Sequence, residues 1–209
     1  MELVAENVSK YIGEKKILDD VSLKLQSGNI YGFVGRNGSG KTMLFRALSG
    51  LMNISEGKVS VDGKILHKDV RVLPDLGILI ENAGLYPELT GFENLSLLAK
   101  LNQKIGEEEI RAAIRRVGLD DADKRTYRKY SLGMKQRIVL AQAIMEKPGV
   151  LMLDEPTNAL DEEGIETIRT IILEEKRRGA LILLASHNRE DIEILADKVY
   201  QVKSGRVTG

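Results

Sequence analysis

A mixed α/β fold around a mostly parallel sheet is predicted by three observations. The runs at residues 30–34, 76–80, 150–153 and 181–185 are continuously apolar, as strands covered on both faces must be. Helical patterns at Lys41–Leu51, Leu132–Glu146 and Asp161–Arg178 alternate with them, the order that builds parallel sheets with covering helices. Near the N-terminus, Val21, Leu23 and Leu25 alternate with polar residues, as do Val59 and Val61, which predicts an antiparallel region with one solvated face.

From residue 82 to residue 129 this rhythm stops, and helix signals replace strand signals. Thr90-Gly-Phe-Glu93 has the spacing of a capping box opening a helix over Glu93–Asn102, because the threonine hydroxyl and the glutamate carboxylate can each take an orphan N–H of the first turn. Residues 107–117 are amphipathic, with Gly118 as the stop. The tail from Lys198 to Val207 has a Lys-Ser-Gly turn between apolar runs and reads as a hairpin. The chain is thus expected to be a single domain over 1–209, with residues 1–81 and 130–209 forming the core and 82–129 a mostly helical insertion.

With 209 residues there is enough chain for one sizeable core. Thirty-one basic residues balance 31 acidic ones, so no overall field draws nucleic acid, and no nucleic-acid partner is expected. The absence of cysteine excludes disulfides, thiolate metal sites and a cysteine nucleophile. MELVAENVSK has no cationic start followed by an apolar stretch, so no secretory signal is expected. No apolar run approaches the roughly 20 residues that span a bilayer.

The run at 30–34 leads into Gly35-Arg-Asn-Gly-Ser-Gly-Lys41-Thr42 and then a helix, which is the GxxxxGK[ST] phosphate loop in its strand–loop–helix setting. Glycines let backbone N–H groups curl around phosphate oxygens, and the helix N-terminus adds positive dipole. Asn37, Gly38, Ser39, Gly40, Lys41 and Thr42 are therefore the expected phosphate-binding set. Lys41 supplies charge to the terminal phosphates, and the Thr42 hydroxyl can ligate Mg²⁺.

Val150-Leu-Met-Leu-Asp154-Glu155 is a buried strand ending in two acids. Alone, that pattern is often a solvated strand end. Beside a phosphate loop, Asp154 is expected to hold Mg²⁺ and Glu155 to polarise the attacking water. His187 follows another apolar strand and Ser186. It is either a helix-cap neighbour or a group that hydrogen-bonds the terminal phosphate. His67 lies in a polar stretch and is read as surface.

With these residues assembled, the chain resembles the nucleotide-binding subunit of ATP-binding-cassette (ABC) transporters over essentially its whole length. Tyr130-Ser-Leu-Gly-Met-Lys-Gln-Arg137 is similar to the family signature LSGGQKQR, keeping Ser131 and Gly133. Asn158-Ala-Leu-Asp161 resembles the dimer-contacting loop. LIENAGLYPELTGFENL, YSLGMKQR and EPTNALD together resemble the subgroup of bacitracin export and lantibiotic immunity. In that subgroup Glu81 stands where most of the superfamily has a glutamine linking Mg²⁺ to membrane-facing elements, and members with a C-terminal extension are longer than this chain. The adenine-stacking aromatic of the family directly precedes the glycine matching Gly13; Ile12 holds that place, and Tyr11 is the nearest aromatic.

The resemblance implies an ATPase that sandwiches two ATP molecules between two copies of itself, or between itself and a homologous subunit. Ser131 and Gly133 would cap the ATP of the facing subunit, His187 would be the switch histidine, and Glu155, His187 and Lys41 would carry catalysis. ATP and Mg²⁺ are implied as cofactors, with Thr42, Asp154 and Glu81 as metal residues and Tyr11 as the adenine contact. Closure would drive a separate transmembrane permease, as an exporter of a peptide, antibiotic or other small molecule, and place the chain on the inner face of the cell membrane. The alternative is a soluble ABC-type ATPase that remodels a protein or nucleic-acid complex. Such proteins commonly carry two cassettes, coiled-coil insertions or basic extensions, none of which this sequence has.

Overall fold

The computed structural model describes residues 1–80 and 84–209. Two sheets organise them. The first is four-stranded and antiparallel, in the order β2-β1-β4-β5, from β1 (Glu2–Ile12), β2 (Lys15–Gln26), β4 (Glu56–Val61) and β5 (Lys64–Ile65). The second is six-stranded in the order β10-β9-β3-β8-β7-β6, from β3 (Ile30–Val34), β6 (Leu76–Leu79), β7 (Val150–Asp154), β8 (Leu181–Ala185), β9 (Lys198–Lys203) and β10 (Arg206–Thr208). Its pairs are parallel except β9 with β10, so the expected terminal hairpin closes one edge.

Strand β1 carries no alternation signal in the sequence, for a local reason. Asn7 sits at φ 50° and the register with β2 shifts between Ala5 and Val8. The buried residues are therefore Leu3, Ala5 and then Val8, because a bulge inserts one residue and resets the phase. Strand β6 ends at Leu79, one residue short of the expected run. It is an edge strand with β7 as its one neighbour, and Leu76 and Ile78 are only half-buried.

Alternate residues of the parallel strands feed two cores, as a period of two requires. Ile30, Leu151, Leu153, Ile182 and Leu184 pack with the apolar faces of helices α4 (Leu132–Ile144) and α5 (Glu162–Arg177). Phe33, Val150, Met152, Leu181 and Leu183 join α1 (Lys41–Ser49) and the antiparallel sheet. There Phe33 meets Phe45 edge-on at 5.5 Å between ring centroids, a favoured aromatic geometry. Helix α4 lies directly on β6, since a Cβ added at Gly77 would fall 2.0 Å from the Ala143 carbonyl oxygen.

The insertion is helical, as expected. Helix α2 (Gly91–Asn102) opens with both halves of its capping box: Glu93 N–H donates to Thr90 Oγ1 at 3.1 Å, and Thr90 N–H to Glu93 Oε2 at 2.8 Å. Buried Asn94 ties the preceding loop down, taking Tyr86 N–H at 2.7 Å and donating to the carbonyls of Tyr86 and Thr90. Helix α3 (Glu107–Arg116) docks on the core through Arg116, which reaches Glu174 and the buried Glu175 of α5. Helix α6 (Arg189–Leu195), which the sequence pattern does not announce, buries only Asp191, Ile192 and Leu195 and has no room for a 3.6-residue stripe.

Candidate active site

Three strand ends and one helix start meet at the C-terminal edge of the parallel sheet, where open α/β sheets place their ligand crevices. The loop between β3 and α1 supplies the first group. Gly38 and Gly40 lie at φ 77° and 113°, conformations that residues with a Cβ adopt at a cost. The loop is braced from behind by the terminal hairpin, with Gly205 N–H donating to the Ser39 carbonyl at 2.9 Å. Lys41 is 6% exposed, and its Nζ donates to the Gly35 carbonyl at 2.8 Å. The Ser39 Oγ is buried and has no hydrogen-bond partner among the described residues.

The second group comes from β7. Thr42 Oγ1, in the first turn of α1, donates to Asp154 Oδ2, bringing a hydroxyl and a carboxylate onto one point. The next residue, Glu155, lies at φ 53°. A non-glycine residue there costs on the order of 1–3 kcal/mol and persists only where its surroundings hold it. Its N–H donates to the Ala185 carbonyl at 2.8 Å, so β8 fixes the start of the bend.

His187, just past β8, completes the cluster. Its Nδ1 is 2.6 Å from Glu155 Oε2, and its backbone N–H reaches the same oxygen at 3.2 Å. The other carboxylate oxygen, Glu155 Oε1, is buried without a hydrogen bond among the described residues and lies 3.9 Å from Lys41 Nζ. The carboxylate thus lies between an exposed imidazole and a buried ammonium group.

A cleft of about 860 Å³ opens over this cluster and is lined by residues 37–43, Asp154, Glu155 and His187. Lys15, Lys16, Tyr127, Leu132, Gln136 and Gly205 line it as well. Burial holds the Tyr127 phenol above its ordinary pKa. The cleft fits a polyanion on observable grounds: left-handed glycines leave the loop amides free to curve, the buried Ser39 hydroxyl has no partner among the described residues, and one ammonium lies at the loop's base. The Thr42 hydroxyl and Asp154 carboxylate are hard oxygen donors of the kind Mg²⁺ takes.

The structure therefore brings together Asn37, Gly38, Ser39, Gly40, Lys41, Thr42, Asp154, Glu155 and His187. It does not bring Tyr11 to the cleft lining. That ring is 38% exposed and lies 5.4 Å from Lys16 Nζ, measured to its centroid. Ser131 and Gly133 also stand outside this cleft. Ser131 is the exposed N-cap of α4, accepting Met134 N–H at 3.2 Å, while a Cβ at Gly133 would meet the Ala159 carbonyl oxygen at 3.0 Å. Glu81 lies outside the described residues. His67 is exposed, as expected.

Two features here have no signal in the sequence. Gln136 Nε2 donates to the Glu155 carbonyl at 2.8 Å. Beneath the cleft, the buried Asp191 carboxylate accepts Thr157 Oγ1 at 2.6 Å and Arg169 Nε at 2.8 Å. Burial works against the charge on Arg169, but its bonds to Glu190, Asp191 and Glu166 outweigh that and hold its pKa above the ordinary value. Thr157 and Asp191 flank the two reactive segments, so this network ties the loop after Glu155 to the helix after His187.

The sequence pattern of the ABC transporter family matches residues 18–158. The chain is 46% identical to the uncharacterised ABC transporter ATP-binding protein YybJ of Bacillus subtilis, over 96% of this chain and 92% of that protein. It is 37% identical to the bacitracin transport ATP-binding protein BcrA of Enterococcus faecalis, over 97% of this chain but only 66% of BcrA. Its fold matches that of the dimeric ABC transporter cassette MJ0796 with a TM-score of 0.88 at 22% identity, covering 99% of this chain and 97% of that one. The chain therefore belongs to the ABC transporter family, as one of its ATP-binding ATPase subunits.

Proposed function

We propose that this ATPase works as one half of a dimer, formed with a second copy or a homologous subunit, that closes on two ATP molecules and reopens after hydrolysis. Each nucleotide would lie in the cleft of one chain and be capped by Ser131 and the Gly133 backbone of the other. The support for the capping role is that Ser131 and Gly133 lie at the exposed start of α4, outside their own cleft, where helix dipole and free donors suit a phosphate.

Within the cleft, the loop amides and Lys41 bind and orient the terminal phosphates. Mg²⁺, held by Thr42 and Asp154, would neutralise charge on the phosphates when bound. Glu155 orients the attacking water and takes up its proton at Oε1, the oxygen that no hydrogen bond from the described residues occupies. His187 holds Oε2 and steers the carboxylate. Catalysis on this reading is positioning and electrostatics rather than covalent chemistry. The observation that carries it is the Glu155 carboxylate held between Lys41 and His187 at the floor of the phosphate cleft.

None of the helices among the described residues is long and apolar enough to cross a membrane. On the proposed reading the chain works with a transmembrane permease, which would seat it at the inner membrane face. The similarity to BcrA, a bacitracin transport protein, favours export of a peptide or antibiotic. The test of the cycle is Glu155→Gln in the full chain with Mg²⁺ and ATP. Hydrolysis should stall while a nucleotide-bound dimer accumulates on sizing; rapid turnover without a dimer would reject the reading.

A further inference from the structure

The bond between Gln136 and the Glu155 carbonyl joins helix α4 to the residue that carries the reactive carboxylate. Glu155 precedes Pro156, a position that sterics confine largely to extended backbone, yet its φ is 53°. Its carbonyl takes two donors among the described residues. Asn158 N–H, at 3.2 Å, belongs to the same loop and moves with it. Gln136 Nε2, at 2.8 Å, belongs to α4 and ties the peptide to a separate rigid element.

The same face of α4 holds the rest of that loop. Gly133 lies so close to Ala159 that an added Cβ would be 3.0 Å from its carbonyl oxygen, and Arg137 Nη2 is 3.0 Å from Asp161 Oδ1. Positions 133, 136 and 137 are three and four residues apart and so share one face of the helix. Among these contacts, that of Gln136 falls on the residue that carries the reactive carboxylate.

We infer that Gln136 is a positioning residue for hydrolysis, which holds the Glu155 peptide in its left-handed bend and so aims the carboxylate into the cleft. The inference rests on the proposed role of Glu155. Helix α4 then serves both nucleotides of a dimer. Its first turn meets the nucleotide of the facing subunit, and one turn further its Gln136 sets the carboxylate of its own cleft. The two sites are thereby linked through one side chain in each chain.

The test is a double-mutant cycle on the full chain. Gln136→Met removes the donor and keeps the length; Gln136→Glu, a second variant of nearly the same shape, serves if the first does not fold. Gln136→Met should lower kcat by about tenfold or more, since small misplacements of catalytic groups cost that much, while KM for Mg²⁺-ATP stays within about twofold. In a Glu155→Gln background, the residual rate should change by less than about twofold on adding Gln136→Met. An equal loss in both backgrounds, or no loss from Gln136→Met alone, would overturn the inference and leave the role of Glu155 intact. Unimpaired hydrolysis by Glu155→Gln itself would overturn that role, and the inference with it.

Discussion

The Nδ1 of His187 lies 2.6 Å from Oε2 of Glu155, and the backbone N–H of the same histidine reaches that oxygen at 3.2 Å. The histidine therefore holds the carboxylate twice, once by its ring and once by its peptide. Removing the ring leaves one of the two holds, whereas Glu155→Gln removes the base itself. Single-turnover hydrolysis should fall by about 10²–10⁴-fold for Glu155→Gln, the usual worth of general acid–base catalysis, and by less for His187→Ala. Equal losses, or the reverse order, would remove Glu155 from the role of base.

Asp191 is the anchor beneath this pair, and its partner Arg169 is 5% exposed. Removing Asp191 leaves Arg169 its bonds to the exposed Glu166 and Glu190 and takes the acceptor from Thr157, so the cost should fall short of the about 3–5 kcal/mol of a buried charge left with no partner. Asp191→Ala should destabilise the chain by about 1–3 kcal/mol in urea denaturation, the cost of leaving a buried polar group without its partner, and Asp191→Asn, which still accepts from Thr157, by less. The double variant Asp191→Ala with Arg169→Met should recover part of the loss, because no buried guanidinium is then left without its buried counter-ion, and the freed Glu166 and Glu190 are exposed.

Asp197 gives a pH dependence of stability. Burial works against its charge, but the Ile30 N–H at 2.8 Å and the Lys176 ammonium outweigh that and hold its pKa below the ordinary 3.8. A carboxyl whose folded pKa is depressed contributes stability that is fully present above its unfolded pKa and lost as pH falls through the folded value. Asp197→Asn should thus be less stable than wild type at neutral pH, and the gap should close below about pH 4. Denaturation midpoints of both proteins along an acid series measure it; a gap that persists in acid would refute the assignment.

Ser131 is both a helix cap and the proposed donor to the facing subunit, and two substitutions separate these roles. Ser131→Ala loses the bond to Met134 N–H and should cost about 1 kcal/mol. Ser131→Asp keeps a capping oxygen and suits the helix dipole, so stability should hold. Its negative charge would nevertheless face a polyphosphate across the dimer, and ATP-dependent closure should fail. Closure of Ser131→Asp as complete as that of wild type would place Ser131 outside the capping role.

The phosphate loop is legible in the sequence because its glycines answer a backbone need that few other residues can meet, and the acid pair because it ends a buried strand in a chain that carries a phosphate loop. The Thr90–Glu93 capping box is legible for the same local reason. Strand β1 is hidden because the bulge at Asn7 breaks the alternation that announces a strand. Gln136 and Asp191 are hidden because their partners lie 19 and 34 residues away. Only tertiary packing makes such pairs, and one chain's pattern holds no trace of them. Tyr11 as adenine contact rests on resemblance alone, and its ring stands beside Lys16 rather than on the cleft lining.

The central claim is that each ATP site is assembled from two chains, and mixing two inactive variants tests it most directly. Lys41→Ala removes the phosphate-loop ammonium, and Ser131→Asp spoils the cap offered to the partner. Neither alone can build a working composite site. In a mixed dimer, the intact loop of the Ser131→Asp chain faces the intact Ser131 of the Lys41→Ala chain, so one of the two sites is whole. Mixing the purified proteins should restore hydrolysis and a nucleotide-dependent dimer on sizing. A mixture as inactive as either variant alone would contradict the shared site.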